Sequence, residues 1–209
     1  MILYRTVARE AEAELSVERS RFIGCVCPAA SREEAEAFFA RRRALHRDAT
    51  HNVPAFSLGD RGELQWASDD GEPQGTAGAP VARLLAAEGI TNAAVMVTRY
   101  FGGVKLGTGG LVRAYTATAR LALAEAGVCE VREQAVMEFR MDYQSHGRLR
   151  GAPQGGLFRI LGAEFLDKVT LTVAAEPEAE DEARALVLDL TSGRAELLSS
   201  KKILTSSEI

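Results

Sequence analysis

Val97-Thr98-Arg99-Tyr100-Phe101-Gly102-Gly103-Val104-Lys105-Leu106-Gly107-Thr108-Gly109-Gly110-Leu111 reads as three pieces of structure in fifteen residues. A β-rich apolar run, Ala93 to Tyr100, is short enough for a buried strand. A glycine-dense loop follows from Phe101 to Gly110. Leu111 to Ala126 is then a strong helix, closed by Gly127 as a C-terminal cap. Clustered glycines allow positive φ and close backbone approach. A helix start offers unpaired N–H groups and the positive end of its dipole, which together favour anions. Arg99, Lys105 and Arg113 add charge around that corner, and Tyr100 and Phe101 add π faces on which a base can stack. The order GxxxxGK[ST] is missing, so this is not a phosphate loop of the nucleoside-triphosphatase kind.

Upstream, Glu14 to Pro28 reads as strand. Ser31-Arg32-Glu33-Glu34 is a capping box that opens a helix to about Leu45. His51 to Leu58 and Glu63 to Ala67 flank Gly59-Asp60-Arg61-Gly62 and predict a hairpin. Ser68 to Pro80 is too rich in glycine and proline for a continuous helix or strand, and Pro80 suits the first turn of a short helix through Ala87. Downstream, Val128 to Arg132 predicts one more strand, and the pattern restarts after about Glu133. Strand Ala135–Asp142, a weak helix or loop Ser145–Leu157, strands Ile160–Asp167 and Lys168–Ala174, helix Pro177–Thr191 and strand Glu196–Ile203 follow. That is β-α-β-β-α-β, the ferredoxin-like order. We expect an α+β protein of two domains, residues 1–132 and 133–209.

Composition narrows the function. The 209 residues are 46% hydrophobic and 26% charged, which excludes a disordered chain. The N-terminal residues are charged, and no apolar run approaches the ~18 residues needed to cross a bilayer. A cytoplasmic protein with no membrane partner is expected. Net charge is -4, yet Gly89 to Ala124 contains no Asp or Glu while holding Arg99, Lys105, Arg113 and Arg120. Arg41-Arg42-Arg43, with His46 and Arg47, is a second basic knot. Such segregation makes a local positive field on an acidic molecule. Cys25, Cys27 and Cys129 form no CxxC pair, and alternation sends the first two to one strand face as buried thiols. The histidines have no metal-ligand spacing. Neither a metal nor a cofactor is expected.

Ser68-Asp69-Asp70-Gly71-Glu72-Pro73 concentrates three carboxylates, which suit turn initiation, a hard cation or acid–base work. Thr76-Ala77-Gly78 before Pro80 offers a second backbone cradle. His51, Asp69, Asp70, Glu72 and Thr76 thus form a secondary candidate site. Ser57, Ser68, Ser145 and His51 fit no nucleophile order, so no catalytic residue is assigned.

Ser20-Arg21-Phe22-Ile23, Ala49-Thr50-His51, Ser68 to Pro80 and Val97 to Tyr115 together resemble the IMPACT/YigZ family, over roughly residues 15–127. Val169–Val173 and Leu190–Ala195 are similar to the ferredoxin-type domain that bacterial members append. The resemblance implies an N-terminal fold shared with domain IV of elongation factor G and a C-terminal fold like its domain V. It also implies nucleic-acid or ribosome association and translational control. After His51 the chain has Asn52 and Val53, where members often carry a second His and a Cys.

The leading expectation is a non-catalytic module that binds RNA, the ribosome or translation factors through Arg99, Tyr100, Phe101, Gly102, Gly103, Lys105, Gly107, Gly109, Gly110 and Arg113. Two alternatives are an enzyme of phosphate ligands that uses the glycine loop as a kinase does, and a protein–protein regulator that docks through Glu178 to Leu190.

Overall fold

Alternation along the strands of the N-terminal region divides their side chains between two faces, and each face carries helices. The computed structural model describes residues 2–151 and 156–208. Ile2–Val131 makes one compact unit and Arg132–Thr205 another. In the first unit the elements are β1 (Ile2–Val7), β2 (Ala11–Val17), β3 (Ser20–Pro28), α1 (Arg32–Leu45), β4 (His51–Leu58), β5 (Leu64–Ala67), α2 (Gly78–Ala87), β6 (Ala93–Tyr100) and α3 (Gly107–Ala126). The sheet order is β2-β3-β6-β4-β5, and the pairs are antiparallel.

Val53, Ala55, Val95 and Val97 share a core with Phe22, Val26 and the apolar sides of α2 and α3, including Leu85, Leu111 and Tyr115. The alternate residues, Cys25, Cys27, Phe56, Ala94 and Met96, pack with Phe38 and Phe39 of α1 on the opposite face. Cys25 and Cys27 are buried free thiols, and burial pushes them up to about 11 and about 12. Ser31 caps α1 as the sequence predicts, its hydroxyl accepting from Glu34 N at 3.2 Å.

The second unit contains β7 (Val128–Met141, whose first residues belong to the first unit), α4 (Tyr143–Gly151), β8 (Arg159–Phe165), β9 (Val169–Ala175), a 3-10 turn (Pro177–Ala179), α5 (Glu180–Leu190) and β10 (Glu196–Glu208). β9 lies between β7 and β8, and β10 pairs with the other side of β7. The strand order β10-β7-β9-β8 with two intervening helices is the ferredoxin-like arrangement. Its core joins Met137, Phe139 and Met141 to Leu171, Val173, Ala183 and Val187. The α+β class with two antiparallel sheets agrees with the sequence expectation.

Several boundaries differ. Glu14–Pro28 is not one strand but the end of β2 and all of β3, joined at Glu18 and Arg19, with φ of 46° and 66°. A two-residue turn of that hand normally advertises itself with Asn or Gly, and here it carries neither. β1 was not expected. Val128–Arg132 and Ala135–Asp142 are one continuous strand. The α3 helix starts at Gly107 rather than Leu111, so its first turn is built of Gly, Thr, Gly and Gly. Residues 152–155, part of the expected segment Ser145–Leu157, lie outside the described residues.

Candidate functional site

The register brings three side chains into one row. Phe22 on β3 lies opposite Arg99 on β6, and Arg99 lies opposite His51 on β4. All three are in phase with the residues that face α2 and α3. Tyr115, the helix residue one turn beyond Leu111, packs edge-on against Phe22 with ring centroids 5.3 Å apart. The row sits where the sheet runs out beneath the start of α3.

The acidic loop supplies the group that completes it. Asp69 accepts from the amides of Gly75 at 2.7 Å, Ala77 at 3.0 Å and Gly78 at 2.9 Å. Asp70 adopts φ 47°. Its carboxylate accepts from Asn52 N at 2.6 Å, and its carbonyl lies 2.7 Å from His51 Nδ1. These bonds fold the loop over the beginning of β4 and turn Glu72 inward. Glu72 Oε1 accepts from Arg99 Nη1 and from the Tyr115 hydroxyl, each at 2.7 Å. The Glu72 and Arg99 side chains are 3% and 6% exposed, so this is a buried ion pair. Burial, and then the bond to Glu72, pushes the Tyr115 phenol far above its ordinary value.

Because a carbonyl only accepts, His51 Nδ1 carries hydrogen, and in the neutral ring Nε2 presents its lone pair. That nitrogen is 3.8 Å from Glu72 Oε2. Arg99 also donates from Nη2 to Ser20 Oγ at 3.3 Å, and its guanidinium lies over Phe22 and Phe101 at 5.4 and 5.3 Å. The Arg99 Nε is buried and has no hydrogen-bond partner.

This constellation forms one wall of a cavity of about 440 Å³. Phe101, Lys105 and the first α3 residues Gly107 and Thr108 line it too, with Leu106, Leu111 and Pro73 as its apolar part. No side chain caps α3 at Leu106, and no acid lies in its first turn. Lys105 is exposed and, among the described residues, has no ion pair. The helix dipole and one ammonium therefore act on a cavity whose lining carboxylate, Glu72, is paired with Arg99.

The residues expected to act together are redistributed. Phe101, Lys105 and Gly107 stay with Arg99, and His51 and Glu72 join them, so parts of the two candidate sites are one place. Arg99 is not a free cation, because Glu72 neutralises it. Tyr100 faces the other side of the sheet, since strand neighbours alternate, and its hydroxyl is 2.9 Å from His46 Nδ1. Arg113 and Gly110 line an adjoining groove of about 470 Å³ that Lys105 shares. Gly102, Gly103 and Gly109 line neither. Gly103 and Gly107 have positive φ, whereas Gly102 is required for space. Asp69 fills the Thr76-Ala77-Gly78 cradle itself, and the Thr76 hydroxyl donates to Pro73 O at 2.6 Å.

Two arginines of the second basic knot are also paired. Arg41 bonds Glu10 at 2.6 Å, and Arg42 bonds Glu12 of β2. Ser20 and Tyr115 were not foreseen as members of the network. Tyr115 was legible as a polar-tipped aromatic on the buried face of α3, whereas the role of Ser20 needed the turn at Glu18–Arg19.

Burial raises the Asp69 carboxyl, but the three amide bonds outweigh it, and the group titrates below its ordinary value of 3.8. A depressed carboxyl stabilises the fold above its unfolded value and loses that contribution as pH falls through the folded one. Asp69→Asn is expected to lose about 1 kcal/mol at pH 7, the usual weight of a cap. The gap to the wild type should close below pH 3.8. Urea midpoints of both proteins at pH 7 and in acid measure it, and a gap that does not narrow would exclude this linkage.

Among the described residues, no helix is long and apolar enough to cross a membrane. Residues 18–123 match the Impact N-terminal domain, and residues 139–194 match a domain of unknown function, DUF1949. The chain is 32% identical over 194 residues to the IMPACT family member YvyE of Bacillus subtilis (strain 168), covering 93% of this chain and 89% of that one. It is 33% identical over 189 residues to YigZ of Escherichia coli (strain K12), covering 87% and 90%. An IMPACT family member of Thermus thermophilus is 38% identical over 179 residues, covering 85% and 97%. The crystal structure of a hypothetical protein, 30% identical, superimposes with a TM-score of 0.60 over 94% of this chain and 96% of that one. With these matches across both units and the glycine corner at the centre of the first, the chain belongs to the IMPACT family.

Proposed function

We propose that this protein is a non-catalytic RNA-binding module of the cytoplasm that associates with RNA or ribosomes in the regulation of translation. The observation that carries this reading is the uncapped start of α3 opening on a cavity beside an exposed Lys105 and an exposed Phe101. Free helix amides and an ammonium suit a phosphate, and a half-exposed ring suits a base. Translational control is the role that the IMPACT resemblance implies. The kinase-like alternative needs Asp69, Asp70 or Glu72 to hold magnesium; the first two carboxylates instead bind backbone amides, and Glu72 is paired with Arg99.

The test is filter binding of single-stranded RNA across a range of salt, with sedimentation of the protein alongside ribosomes at low and high salt. Wild-type affinity should fall steeply with salt, because bound phosphates release counterions. Lys105→Ala should reduce the logarithmic slope by about 1 without altering stability, since the side chain is exposed. A slope unchanged by Lys105→Ala would remove α3 and its lysine as the phosphate site.

A further inference from the structure

The cavity beneath α3 has more acceptors than a phosphate site needs. Glu72 Oε1 is used twice inside the protein, but Oε2 faces His51 Nε2 at 3.8 Å. With Nδ1–H on the Asp70 carbonyl, Nε2 is the acceptor of the neutral His51 ring. Two acceptors side by side in a largely buried wall call for two adjacent donors on the occupant. A carboxylate is the group that commonly reads a ribose hydroxyl. On the other side of the cavity the start of α3 and Lys105 call for an anion. Phe101, 45% exposed, and Leu106 give an apolar surface between. About 440 Å³ lies within the range of small-ligand pockets. The Nε of Arg99, buried behind the same wall, also lacks a hydrogen-bond partner.

We propose that this cavity takes one ribonucleotide unit with a free 2′,3′-diol, its phosphate at the α3 start and Lys105, its base on Phe101 and its diol on Glu72 and His51. The inference rests on the anion-binding reading of α3 and deepens it by naming the ligand. The same chemistry is present in a free ribonucleoside 5′-monophosphate and at the 3′ end of an RNA. The diol is also the feature that separates RNA from DNA at such a site.

The experiment is calorimetric titration of the full chain with adenosine 5′-monophosphate and with its 2′-deoxy and 2′,3′-dideoxy analogues. The deoxy forms should bind about tenfold or more weakly, because each leaves a buried charged or imidazole acceptor without its donor. His51→Ala should lessen that preference, and Lys105→Ala should weaken all three ligands alike. Competition with a short RNA then separates the sources. Displacement of the mononucleotide by RNA ending in a free diol, and not by the same RNA ending in a 3′-phosphate, assigns the cavity to RNA ends. Displacement by neither assigns it to free nucleotides. Equal binding of ribo and deoxy forms, or no binding of any, overturns the proposal. RNA retained on filters without mononucleotide binding sinks the cavity inference and leaves the RNA module standing. Ribose-selective binding with no RNA retention sinks the RNA module instead.

Discussion

Glu72→Ala is expected to destabilise the first unit by about 3–5 kcal/mol, the range for removing one partner of a buried ion pair. The cause is what remains. Arg99, 6% exposed, would keep its charge in a site where Ser20 and two aromatic faces are its other neighbours. Tyr115 would lose the acceptor for a hydroxyl that is fully buried. The single tryptophan, Trp66, stacks on Phe56 within the same unit, so its fluorescence during urea unfolding reads this unit. The double variant Glu72→Leu with Arg99→Met should recover much of the loss, since removing both charges removes the unpaired one. Additive losses would show that the ion pair is not what the single variant breaks. On the proposed ribonucleotide site, the double variant should also lose most of the preference for ribo over deoxy ligands, because it lacks the Glu72 carboxylate.

Gly102→Ala is the second large effect. An added Cβ would meet Arg19 O at 2.0 Å, Arg19 C at 2.1 Å and Ser20 N at 2.6 Å. All are backbone atoms of the β2–β3 turn, so no rotamer change relieves the clash. The expected cost is about 3 kcal/mol, at the upper end for overpacking. Displacing the turn also removes the bond from Gly102 N to Ser20 Oγ at 3.2 Å, and with it a support of Arg99. Gly109→Ala is the contrast, because only Arg113 Nη1, at 3.7 Å, lies near its added Cβ. Inside the first turn of α3 that change should stabilise by about 0.5–1 kcal/mol. Equal Trp66 unfolding midpoints for the two variants would refute the steric account of Gly102.

Much of the fold was legible because its signals are local. The alternation of Val95, Val97 and Arg99 against Ala94, Met96 and Thr98 is a strand period, and Ser31 with Glu34 is a cap whose partners are three residues apart. The β-α-β-β-α-β order after Glu133 needed only the count of elements. The β2–β3 turn was not legible, since Glu18 and Arg19 take positive φ without the usual turn residues and are held by strand pairing. The start of α3 was placed four residues late because three glycines in its first turn depress local helix propensity, and packing of Leu111 and Tyr115 overrides it.

By itself, the sequence determined that residues 97–111 make a strand–glycine–helix corner, and that acids are absent around it. These are properties of neighbours along the chain, set by backbone freedom and composition. Tertiary structure alone decided which of the charges around the corner are paired and which face they take. Arg99 and Glu72 are 27 residues apart and touch, while Arg99 and Tyr100 are adjacent and face opposite sides of the sheet. Whether a charge is free or spent depends on burial and on a partner brought by a distant loop, and electrostatic energy follows distance in space rather than in sequence.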